Sequence, residues 1–94
     1  MYVIVIYDIT EKKVTKVHKY LKKKLNWIQN SVFEGELPES DFVRMKEDLK
    51  KMVKKFQKEI PEGENSIIIF HMPYKGAMER QVIGEEKSPI DNMI

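Results

Sequence analysis

The sequence predicts an α+β fold: a ferredoxin-like βαββαβ sandwich with a short fifth strand. Three observations lead there. Two apolar runs of strand length, residues 2–7 and 66–72, lie near the two ends of a 94-residue chain. Two longer segments repeat apolar residues at helical spacing. Between those segments, aromatic and β-branched residues flank a candidate reversal at Gln29, Asn30 and Ser31. The order strand, helix, strand, strand, helix, strand puts two helices on one face of an antiparallel sheet. Split β-α-β connectivity with right-handed crossovers then gives the ferredoxin-like arrangement.

Each element has its own signal. Residues 2–7, from Tyr2 to Tyr7, are β-branched and aromatic throughout, which reads as a buried strand apolar on both faces; it ends at Asp8. The Thr10 hydroxyl is placed to cap a helix over residues 11–24 by accepting a first-turn N–H. Val14, Val17, Leu21 and Leu25 form its core face, and Lys12, Lys16, Lys19 and Lys23 a stripe opposite. Residues 26–29 and 31–36 read as two short strands. Pro38 suits the first turn of a second helix, with Phe42, Met45, Leu49, Met52, Val53 and Phe56 as its apolar stripe and Pro61 beyond its end. Residues 66–72 contain Ile67, Ile68, Ile69 and Phe70, a second strongly buried strand. Gln81, Val82 and Ile83 make a short fifth strand closed by Gly84. Residues 1–84 read as one domain; 85–94 read as a polar tail on the surface or against a partner subunit.

Composition narrows the function classes. A chain this short builds a modest core, so a partner subunit would help it. The absence of cysteine removes disulfides and thiolate metal sites and fits a reducing compartment. No apolar run has membrane-spanning length, and the first residues lack a basic leader, so the expected location is the cytoplasm, with no membrane association. The net charge is only +2, but seven lysines and one acid fall between Glu11 and Leu25. That basic face suits a nucleic acid or another polyanion, or is a solvated helix back.

Asp8 is the sharpest candidate for chemistry. A carboxylate just past the end of a buried strand can hold Mg²⁺, which takes one or two carboxylates plus waters and phosphate oxygens; its structural alternative is ordering the strand-to-helix turn. A two-fold dimer would bring two Asp8 side chains toward one cation, able to polarise a phosphodiester and activate water. Ser31 can orient a water or phosphate, or simply build the turn. Glu34 and Glu36 read as a solvated strand rim. His18 and His71 lie in no metal-ligand pattern and read as packing or surface residues. Trp27 and Tyr20 can stack on bases or pack in a core or dimer.

Two stretches resemble the CRISPR-associated protein two (Cas-two) family. Tyr2-Val3-Ile4-Val5-Ile6-Tyr7-Asp8-Ile9 is similar to that family's first strand with its metal-binding aspartate. Gln29-Asn30-Ser31-Val32-Phe33-Glu34-Gly35-Glu36-Leu37 is similar to its Gln-x-Ser-Val-Phe-Glu segment, and Val82-Ile83-Gly84 to its short last strand. The resemblance implies a ferredoxin-like homodimer and a metal-dependent endonuclease of RNA or DNA. It implies a CRISPR adaptation (spacer acquisition) subunit that bridges dimers of the Cas-one integrase. Asp8 then takes the catalytic and metal position with Mg²⁺, and Ser31 joins Lys12 and Lys16 as a nucleic-acid contact. Family members commonly carry arginines early in the first helix, where this chain has Val14 and Lys16. Two alternatives stay open: a non-catalytic DNA-binding scaffold of the same complex, and a toxin-like ribonuclease of the same fold.

Overall fold

The computed structural model describes residues 1–85. Its elements run β1 (Tyr2–Asp8), α1 (Glu11–Lys22), β2 (Asn26–Gln29), β3 (Val32–Glu36), α2 (Glu39–Glu59) and β4 (Ser66–Met72), with a short 3-10 turn at Lys75–Ala77. The strands form one antiparallel sheet in the order β2-β3-β1-β4. This is the split β-α-β topology expected from the element order. The first helix is two residues shorter than its periodicity suggests; the Lys23 and Lys24 N–H groups donate to the Tyr20 and Leu21 carbonyls and close it.

Register sorts the side chains into two faces, because alternate residues of a strand point opposite ways. Val3, Val5 and Tyr7 of β1 face the helices beside Phe33, and meet Val17 and Leu21 of α1 and Phe42, Met45, Leu49 and Phe56 of α2 in the core. These are the apolar stripes that the helical spacing marks. Phe33 is fully buried, which on area bookkeeping contributes roughly 1.5–3 kcal/mol.

The outer face is where sequence and structure part. Tyr2, Ile4, Ile6 and Asp8 point away from the helices, opposite Met72, Phe70, Ile68 and Ser66 of β4. Strand β4 is a sheet edge rather than a doubly covered strand, and Ile68 and Phe70 are 52% and 54% exposed. An apolar run cannot by itself distinguish burial on both faces from an apolar face awaiting a partner.

The described chain after β4 covers only part of that face. It leaves Met72, the partner of Tyr2, and crosses to bring Arg80 against Glu34 of β3. Tyr2 is buried beneath this crossing, while Ile6, nearer Asp8, is 36% exposed. Residues 81–83 form no strand within the described chain. With Arg80 anchored over β3, the segment is led away from its own free β4 edge, and a strand without a neighbour has no ladder to join.

Candidate active site

Asp8 closes β1 on the outer face, exposed to solvent. Directly opposite it, on β4, stands Ser66. Side chains paired across an antiparallel ladder have Cβ atoms about 5 Å apart, so a carboxylate and a hydroxyl sit side by side at this end of the sheet.

The turn after Asp8 is pinned by polar contacts. The Thr10 N–H donates to Asn65 Oδ1 (3.0 Å), and its hydroxyl donates to the Glu64 carbonyl (3.4 Å). Asn65 Nδ2 donates to Gln57 Oε1 (3.1 Å), and Gln57 Nε2 donates to the carbonyls of Pro61 (2.9 Å) and Gly63 (3.0 Å). The Thr10 hydroxyl therefore faces the α2–β4 loop and makes no cap bond to the first turn of α1, contrary to the helix-cap expectation. Gly63 is required here: a Cβ would collide with the Thr10 hydroxyl oxygen.

Ser31 lies at the same end, half-buried rather than open. Its carbonyl accepts the Tyr7 N–H (3.1 Å), and its side chain hydrogen-bonds the Tyr7 phenol. Burial pushes that phenol's pKa up, and the Ser31 bond partly opposes the shift. Tyr7 also meets His18 Nδ1 through its hydroxyl (3.1 Å), and both rings pack on Phe33. His18 is thus a packing residue, and Asn30 makes the expected reversal with a positive φ of 45°. Trp27 donates its indole N–H to the Asn30 carbonyl (3.0 Å), and the Tyr20 hydroxyl donates to Asp48 (2.6 Å).

The predicted lysines are exposed, but in the other layer. Lys12 and Lys16 sit on α1, on the helix side of the sheet, whereas Asp8 is on the far side. Lys12 is in the first turn of α1 and so shares an end of the molecule with Asp8. Lys13 instead ties α1 to α2 through Glu59 (2.5 Å). The Lys13 hydrogen bond, with the charges of Lys13, Lys55 and Lys16, holds the Glu59 carboxyl below its usual range.

Glu34 corrects the reading of a solvated rim. It is 7% exposed, accepting from the Tyr2 hydroxyl and paired with Arg80. Ser66, Asn65 and Arg80 were not singled out by the sequence. Ser66 had a signal: two seven-residue strands paired end to end in antiparallel sense set residue 8 against residue 66.

As a metal site, one chain offers little but of the right kind. Among the described residues no group of three or more His, Cys, Asp or Glu is placed to hold an ion. Asp8 supplies a hard, exposed oxygen donor, which suits Mg²⁺ if waters, phosphate oxygens and a second carboxylate complete the shell.

The family model described as CRISPR associated protein Cas2 matches residues 1–79. The chain belongs to the Cas2 family. The CRISPR-associated endoribonuclease Cas2 of Methanocaldococcus jannaschii is 42% identical over 94 residues, covering 100% of this chain and 76% of that protein. The protein of the same name from Pyrococcus furiosus is 43% identical over 94 residues, covering 100% of both. A Cas2 crystal structure is similar at 40% identity with a TM-score of 0.78, covering 95% of this chain and 92% of that one. A Streptococcus pyogenes Cas2 structure, at 24% identity and a TM-score of 0.67 over 89% of this chain and 100% of its own, shares the fold. Asp8, Ser31 and Ser66 lie inside the matched range. Among the described residues no helix is long and apolar enough to cross a membrane.

Proposed function

We propose that this Cas2 family member is a Mg²⁺-dependent endoribonuclease that works as a homodimer, with one Asp8 from each copy facing a shared cleft. The observation that carries the reading is the position of Asp8, exposed beside Ile6 and Ile68 at the apolar end of the outer face that the described residues leave uncovered. A second copy placed there covers the apolar residues and, by two-fold symmetry, brings its own Asp8 to the same region. Among the described residues the β4 edge is free and residues 81–83 are unpaired, which suits exchange of that segment between copies. The names of the relatives from Methanocaldococcus jannaschii and Pyrococcus furiosus support ribonuclease activity.

Two Asp8 carboxylates hold a cation and repel one another less when they share it. Bound Mg²⁺ supplies the Lewis acidity that polarises a phosphodiester and lowers the pKa of an attacking water. Ser66, beside Asp8, is placed to hydrogen-bond a water or a phosphate oxygen. The protein works in the cytoplasm in this reading, and residues 1–84 form the nuclease and adaptation domain. As a CRISPR adaptation subunit it bridges dimers of the Cas-one integrase and binds DNA through Lys12 and Lys16. The exposed lysine stripe favours this scaffold role, which does not depend on cleavage.

The test is a cleavage assay on single-stranded RNA and duplex DNA, with Mg²⁺ titrated, comparing the native chain with Asp8→Asn. Expected is Mg²⁺-dependent RNA cleavage that the substitution reduces roughly 100-fold or more, the scale of losing a metal's charge stabilisation, with folding and dimer mass unchanged. Equal cleavage by both proteins removes Asp8 from the chemistry. No cleavage by the native chain, with duplex DNA and integrase still bound, leaves the scaffold role alone.

A further inference from the structure

Trp27 is the single tryptophan of the chain, and it stands on β2, which ends the sheet on the side away from β4. It keeps 36% of its surface exposed. Its indole N–H donates to the Asn30 carbonyl (3.0 Å), so the ring is held against the β2–β3 turn. A ring fixed in this way gives up little freedom when another ring lies against it.

Its surroundings are cationic and polar. No acidic residue occurs between Lys12 and Phe33. Lys22, Lys23 and Lys24 come just before β2, all exposed, and none has an ion-pair partner among the described residues. Lys24 lies over the Tyr20 ring (5.8 Å). Lys22 is one turn beyond His18 on the same flank of α1. The His18 ring packs edge-on to Phe33 (5.2 Å), the residue directly opposite Trp27, so this flank borders the tryptophan. Three exposed amides, Asn26, Gln29 and Asn30, stand on either side of Trp27 in the chain.

A fixed aromatic ring, amides and lysines are the groups that hold a single strand of nucleic acid. The ring stacks a base, the amides bond base edges, and the lysines meet phosphates. A duplex can use only the lysines, because its bases are stacked on one another. The route to Asp8 favours a single strand as well. Trp27, Phe33 and Val5 share one rung of the sheet, and Asp8 lies three residues farther along β1. Two strand spacings across and three residues along separate Trp27 from Asp8 by about 14 Å. Trp27 shares the helix-facing side with Phe33, whereas Asp8 is on the outer side, so the path between them turns round the β2–β3 reversal past Gln29 and Asn30. A single strand can take that corner; a duplex, with a persistence length of about 50 nm, cannot.

We propose that Trp27, with Lys22 and Lys23, is a stacking platform for one base of a single-stranded RNA whose backbone then reaches Asp8. This deepens the ribonuclease reading above and rests on it. RNA then needs the aromatic edge of the sheet, and duplex DNA only the lysines.

The lone tryptophan reports the contact directly. Without Mg²⁺, a short single-stranded RNA is expected to quench the fluorescence of the native full-length chain to a saturating level. Duplex DNA is expected to bind and leave the fluorescence nearly unchanged. Trp27→Ala is expected to weaken RNA binding at least about fivefold, the low end of what stacking one base contributes. Trp27→Phe recovers most of that loss, and both variants bind duplex DNA as the native chain does. The quench is read on the native chain, so it decides the matter even where Trp27→Ala fails to fold. Equal quenching by duplex DNA overturns the platform, because a nearby charge and not a stacked base would then be its cause. RNA binding that Trp27→Ala leaves unchanged overturns it too; if cleavage stays dependent on Asp8, the ribonuclease reading survives that result. Fluorescence that follows protein concentration and ignores RNA gives the ring to a protein contact and overturns the platform. Single-stranded DNA of the same sequence bound more tightly than RNA overturns the choice of RNA. A native chain that neither binds nor cleaves RNA overturns the ribonuclease reading and the platform with it.

Discussion

The two faces of β1 carry equally apolar residues in very different surroundings. Val3, Val5 and Tyr7 lie against the helices, with Val3 and Val5 losing all contact with solvent. Ile4 and Ile6, one residue out of step, look out from the other side, and Ile6 keeps 36% of its surface. The inner face is satisfied by the chain's own α1 and α2. Among the described residues the outer face is covered only where the segment after β4 crosses toward Glu34. Apolar patterning on both sides of a strand thus records all the contacts the strand makes, including those with another molecule.

The sharpest way to break this comparison is to truncate one aromatic residue on each face. Phe33→Ala opens a cavity in a closed core and is expected to cost about 3–5 kcal/mol in urea unfolding. Phe70→Ala, on the outer face, is expected to cost under about 1 kcal/mol at concentrations where the chain is monomeric. Equal costs would mean that the outer face is packed within the single chain.

A smaller loss is expected where the crossing segment is fastened. Arg80→Ala leaves the Glu34 carboxylate with Tyr2 as its remaining partner at a mostly buried position. Removing one member of a buried pair is strongly destabilising, and because Arg80 keeps some exposure, about 2–3 kcal/mol is expected in the same unfolding assay. Limited proteolysis should then cut the chain between residues 73 and 80 sooner. No change in either would show that the crossing does not depend on this contact.

The helix layer offers a pH comparison. Burial, followed by the hydrogen bond and charge of Asp48, raises the Tyr20 phenol well above its ordinary 10.0. A folded-state pKa above the unfolded one gives stability that is whole below about pH 10 and lost as the pH rises toward the folded value. Tyr20→Phe is expected to cost about 1 kcal/mol at neutral pH, for the lost Asp48 bond, and to flatten the alkaline decline. An unchanged alkaline slope would assign that decline to other groups.

The smallest effect concerns the lysine stripe. Lys12→Ala with Lys16→Ala is expected to reduce the salt slope of duplex DNA binding by up to about two phosphates per chain. An unchanged slope would make the stripe a solvated helix back.

Much of the fold was legible because local signals and burial agree. Val17, Leu21, Phe42, Met45, Leu49 and Phe56 repeat at helical spacing and all reach the core. Asn30 accepts the reversed backbone that the β2–β3 turn requires, and strands 26–29 and 66–72 fall where their composition puts them. What escaped depends on contacts distant in sequence. Glu34 is a strand residue like Glu36 until Arg80, 46 positions on, pairs with it. Thr10 has a cap residue's chemistry, but Glu64 and Asn65 engage it instead. Asp8 was legible as the end of a strand; Ser66 at its side needed the register of β1 on β4. Residues 81–83 have strand composition without a strand partner among the described residues, the same condition as the outer face itself.

That shared condition makes sedimentation equilibrium of the native chain, beside Ile68→Lys, the most direct test. The account predicts twice the 11.2 kDa chain mass for the native protein at micromolar concentration. It predicts the single-chain mass for the lysine variant, with its fold retained and RNA cleavage lost along with the dimer. A native protein that sediments at the single-chain mass, yet cleaves RNA in an Asp8-dependent way, would contradict the claim that two copies build the site.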